Sequence, residues 1–99
     1  MAANPTMAGS TMTADGTFSA GTTPVVAIVA AGDGRRIFRV QNTHASQTLY
    51  LGPTDAVSSS AYSWKLIAGA TLDLDGYSGA LYCVGSGTAT TGVYLKVTA

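Results

Sequence analysis

Glutamate is absent from this 99-residue chain, cysteine and histidine occur once each, and only 10% of residues are charged. Each scarcity excludes something. A single cysteine, Cys83, cannot form an intramolecular disulfide or a cysteine-based zinc site. With His44 as the only imidazole and no glutamate, a nitrogen- and sulfur-based metal site is out of reach, and calcium at Asp73 and Asp75 or at Asp33 is a weaker reading than a solvated strand face and a turn. No cofactor is expected. The charged residues are Asp15, Asp33, Asp55, Asp73 and Asp75 against Arg35, Arg36, Arg39, Lys65 and Lys96, and the formal net charge is zero. Such a chain has no overall attraction for nucleic acid or for an anionic membrane. No run approaches the roughly 20 apolar residues that span a bilayer. The first basic residue is Arg35, so the N-terminus lacks the charged start of a signal peptide. Synthesis in a reducing cytoplasm suits the lone thiol.

What remains is 46% hydrophobic and rich in small residues, with 12 glycines. The length fits one domain. Residues 1–23 are mostly Ala, Thr, Gly and Ser, without helical or alternating spacing. They read as an extended N-terminal arm, with Pro5, Met7, Met12 and Phe18 as its candidate anchors on a partner. Residues 24–99 read as the folded domain.

From Pro24 onward, short apolar runs alternate with turn signals. Strands are expected at 24–30, 36–42, 48–52, 62–67, 70–76, 80–85 and 92–98. Phe38 and Val40 share one face, as do Leu49 and Leu51, Leu72 and Leu74, and Val93, Leu95 and Val97. The run Ala80-Leu81-Tyr82-Cys83-Val84-Gly85 is apolar on both faces and reads as a central strand. Short strands at this spacing, with no helical segment, predict an all-β antiparallel sandwich or jelly roll.

Candidate sites are few. Asp73 and Asp75 share a strand face, the geometry of a solvated outer surface more than of a catalytic pair. Ser58, Ser59 and Ser60 lack the nucleophile-elbow motif that would make one of them reactive. Cys83 has no basic neighbour to lower its pKa and reads as buried and inert. The chain is therefore expected not to be an enzyme. Arg35, Arg36 and Arg39 either guard a strand edge or bond a protein partner. Tyr50, Tyr82 and Tyr94 fall opposite their strands' Leu and Val positions, so they either face outward as anchors or pack beneath a second layer. Tyr62 and Trp64, beside the serine-rich loop, are further partner-binding candidates, although Trp64 would equally plug one end of a sandwich.

The stretch RRIFRVQNTHASQTLYLG at 35–52 resembles a pattern in small structural proteins of tailed phages. There, a strand ending in Gln-Asn turns through a polar loop into one ending in Tyr-Leu-Gly. The resemblance continues through Ile67–Leu74 and the Leu-Tyr-Cys-Val strand, to about residue 98. It implies a virion component, foremost a capsid decoration or cement protein on the head surface. Its partners would be the major capsid protein and further copies of itself, as a dimer or trimer, with no nucleic acid and no membrane. A head-fibre or tail-associated module that recognises host-surface carbohydrate is the alternative.

Overall fold

The computed structural model describes residues 11–32 and 35–98, with side chains described from 16 to 32 and from 37 to 97. Eight strands follow one another: β1 Thr11–Ala20, β2 Val26–Val29, β3 Arg35–Asn42, β4 Leu49–Gly52, β5 Trp64–Leu66, β6 Thr71–Asp73, β7 Leu81–Gly85 and β8 Thr90–Thr98. They form two four-stranded antiparallel sheets that pack face to face, sheet I in the order β1-β8-β3-β6 and sheet II in the order β2-β7-β4-β5. Within them strand 1 pairs with 8, 2 with 7, 3 with 6 and 4 with 5. This is a long hairpin rolled up on itself, the jelly-roll arrangement. Only β4 and β5 follow each other within one sheet.

The core lies between the sheets, where Phe38, Leu49, Leu51, Leu81 and Cys83 are fully buried. Alternation in β3 and β4 is as expected: Phe38, Val40, Leu49 and Leu51 point inward, while Arg39 and Gln41 are exposed. β7 is a central strand, between β2 and β4. Leu72 and Leu74 pack on the core from its margin. The connection from β5 to β6 is a tight turn in which the Ala70 amide donates to the Ile67 carbonyl. Gly69 takes φ +80° there, a conformation open to a residue without a Cβ.

Two expectations are corrected. The chain does not enter the fold at residue 24. Thr11–Ala20 of the expected arm form β1, in register with β8 from Thr11 opposite Thr98 to Ala20 opposite Thr90. Ala20 is buried, and Phe18 packs against the core. The physical reason is that a small-residue strand needs no apolar face of its own when its partner supplies the bulk. Gly16 lies opposite Tyr94, and Phe18 opposite Gly92. Each glycine leaves room for the facing ring, since a Cβ on Gly16 would come 3.0 Å from the Tyr94 ring and one on Gly92 would collide with Phe18.

The second correction concerns β8. Tyr94 pairs with Val40 and Leu95 with Arg39. Because Val40 is buried and Arg39 exposed, Tyr94 points toward the core while Val93 and Leu95 point away from it. At Val93 and Leu95 the expected inward face is reversed, whereas Val97, expected on the same face, is buried at 1% exposure. Shifting which residues face inward is a one-residue matter in a strand, and the two Gly–aromatic pairs decide it.

Candidate functional site

On the outer face of sheet I, two rows of side-chain positions cross all four strands. One runs Thr17, Val93, Gln41, Thr71, and the next, entered on β1 at the backbone position of Asp15, runs Leu95, Arg39, Asp73. Six of these side chains, with the backbone between them, line a shallow groove of about 500 Å³, Val93 and Leu95 at its centre and Thr17, Arg39, Gln41 and Thr71 around them. An outer face of a half-buried sheet is ordinarily polar. Here its middle strand presents aliphatic groups framed by hydrogen-bonding ones.

Arg39 is held at the β6 side of this face. Its Nε lies 3.1 Å from Asp73 Oδ1, and its guanidinium also approaches Asp75 Oδ2 at 3.8 Å. All three side chains are about half exposed, so the pairs fix geometry more than they stabilise the fold. Asp75 has a further task. Its Oδ1 accepts the Phe38 amide at 3.1 Å, while the Leu74 amide donates to the Phe38 carbonyl, extending the β3–β6 ladder past the end of β6. The two aspartates therefore answer an arginine and a backbone amide.

A second patch lies on the outer face of sheet II. Tyr50 sits between Lys65 of β5 and Val84 of β7. The Tyr62 ring, 44% exposed, leans on it with centroids 5.0 Å apart and planes tilted by 49°. A smaller hollow of about 270 Å³ adjoins Tyr62, between Pro53, Thr54, Ala56 and Ser63. The serine loop beside it is internally bonded: Ser58 and Ala61 exchange backbone hydrogen bonds, and the Ser58 and Ser60 hydroxyls lie 3.2 Å apart.

The other sequence candidates are dispersed. Trp64 does not join Tyr62. It packs on the core margin, edge-on to Tyr77 with centroids 5.9 Å apart, as a plug between the sheets. Tyr94 and Phe18 belong to the inner layer. Pro5, Met7 and Asp33 lie outside the described residues, and Met12, Arg35 and Arg36 are described by backbone alone.

His44 and Asn42 shape the loop after β3. The Asn42 side chain, fully buried, donates from Nδ2 to the carbonyls of Gln47 and Leu66, both at 2.8 Å. Its Oδ1 accepts the His44 amide at 2.9 Å. His44 Nδ1 in turn accepts the amides of Ser46 and Gln47, each at 3.0 Å. An imidazole nitrogen that accepts carries no proton, so the proton sits on Nε2. Burial pushes the Cys83 thiol up to about 12, away from a reactive thiolate. Among the described residues, no three of His, Cys, Asp and Glu are grouped as they would be to hold a metal ion.

No family model, no curated protein and no solved structure matches the chain.

Sequence reasoning missed the groove because Val93 and Leu95 had been assigned to the core. The signal was present. Gly16-Thr17-Phe18 and Gly92-Val93-Tyr94 both read Gly-x-aromatic. Only antiparallel pairing of these two segments sets each ring over a glycine, and it turns Val93 outward.

Proposed function

We propose that this chain is a non-enzymatic structural protein of a tailed-phage virion, made in the host cytoplasm and bound to the outer capsid surface, where it stabilises the head. The observation that carries the reading is the aliphatic centre of the sheet I outer face, Val93 and Leu95, on a chain without net charge. A patch of aliphatic groups framed by Thr17, Gln41, Thr71 and an ion-paired Arg39 is the composition of a protein interface, apolar at its core and polar at its rim. The resemblance of residues 35–98 to phage structural proteins supplies the kind of partner, the major capsid protein. Eight-stranded jelly rolls recur in viral capsid and lectin domains, a likeness at the level of fold.

In this reading the mechanism is binding energy alone. A copy that docks only on assembled coat subunits favours the assembled state by mass action. Many copies on a repeating lattice make modest contacts sufficient.

The Tyr50–Tyr62 pair, with the Tyr62 ring exposed and Tyr50 half-buried beneath it, favours a second reading, a module that stacks host-surface sugar rings on its aromatic faces. Copy number separates the two. Quantitative gel analysis of purified particles gives hundreds of copies for a decoration protein. A handful of copies per particle, at the tail or on head fibres, overturns it in favour of the recognition module.

A further inference from the structure

The two sheets have four edges, and three of them carry the features that prevent strand addition. β5 and β6 are three residues each, with the exposed charges Lys65 and Asp73. β2 has four residues, follows Pro24 closely and has a break in register between Ala27 and Val29. Short strands, charges, proline and bulges are the usual means of blunting an edge. β1 differs. It is ten residues long, contains no proline and no basic residue, and has Asp15 as its only charge. Its one irregularity lies near its start, between Met12 and Ala14, and from Ala14 to Ala20 it runs in unbroken register with β8. Among the described residues, no strand pairs with its other side.

We propose that the free edge of β1 is an interface for β1 of a second copy, paired antiparallel about a two-fold axis. Sheet I then continues across both copies as one eight-stranded sheet. An antiparallel strand is its own complement under a two-fold rotation, as a closed homodimer requires. The run from Ala14 to Ala20 is centred on Thr17, so full overlap sets Thr17 opposite Thr17 of the second copy. That side chain is exposed in the single chain, and the protein's zero net charge opposes no such approach. The proposal is independent of what the sheet I face binds, because it is tested in solution without capsid.

Analytical ultracentrifugation of the full chain is expected to show a concentration-dependent species of twice the 10.0 kDa monomer mass. Thr17→Lys and Thr17→Asp each place like charges opposite one another, and each is expected to weaken association by at least about tenfold. An equimolar mixture of the two variants restores it. Hydrogen exchange on the unaltered protein provides a check that needs no variant: alternate amides of residues 14–20 become protected as concentration rises. A chain that stays monomeric throughout, variants that associate like the parent, or a mixture that fails to recover would each overturn the proposal.

Discussion

The ring of Tyr94 lies across Gly16, close enough that a Cβ on that glycine would meet it at 3.0 Å. This cross-strand contact and its mirror, Phe18 over Gly92, join β1 to β8 and set which side of β8 faces the core. Aromatic cover of a strand glycine is a known way of fixing register. Gly92→Ala should therefore cost about 1–3 kcal/mol by forcing the Phe18 ring out of place. Gly16→Ala should cost less, because its nearest neighbours are the far end of the Tyr94 side chain. Urea unfolding of the two variants measures the order.

Because β1 is part of sheet I, truncation has a threshold. Deleting residues 1–20 removes Phe18 and Ala20 from the inner layer and uncovers β8. A loss of at least about 3–5 kcal/mol is expected from the aromatic side chain alone. Deleting residues 1–10 leaves all eight described strands in place and should cost far less. Thermal melts by circular dichroism compare the two.

Legibility followed how much each strand carried in its own side chains. β3, β4 and β7 were readable because Phe38, Val40, Leu49, Leu51, Leu81 and Cys83 bury their own apolar groups at a period of two. β1 was not, since its place depends on rings and glycines in a partner more than 70 residues away, as with Gly16 and Tyr94. β8 was misread for a related reason. Its alternation of Val93, Leu95 and Val97 against Tyr94 and Lys96 points the aliphatic set inward, and only the pairing with Gly16 and Phe18 of β1 overrides that at Val93 and Leu95. The outer groove was hidden with it, whereas the outward placement of Tyr50 followed directly from Leu49 and Leu51 facing inward.

Asn42 ties three segments together through its side chain, the end of β3, the following loop and β5. Asn42→Ala should destabilise by about 2–4 kcal/mol, since it leaves the buried Leu66 carbonyl without its donor. Asn42→Asp should be worse, because a carboxylate would face two carbonyl oxygens. Denaturant midpoints rank the variants.

The Cys83 thiol ionises at about 12 in the folded protein against an ordinary 9.0, through burial. The folded state thus holds this proton more tightly than the unfolded state. Below pH 9 the group leaves stability unchanged, and as pH rises toward 12 stability falls by about 1.4 kcal/mol per pH unit on its account. Cys83→Ala lacks this contribution, so its stability should fall less steeply over that range. At neutral pH the native thiol should react with a disulfide reagent far more slowly than the urea-unfolded chain.

The proposed capsid attachment rests on the outer face of sheet I, and Leu95 is its most direct probe. Leu95→Asp places a charge at the centre of the groove without touching the inner layer, so the variant should keep its circular dichroism spectrum. The decisive measurement is co-sedimentation of parent and variant with undecorated heads. The account predicts that the parent sediments with the heads and the variant binds at least about tenfold more weakly, the loss of roughly one buried leucine. A folded Leu95→Asp protein that coats heads as tightly as the parent would contradict it.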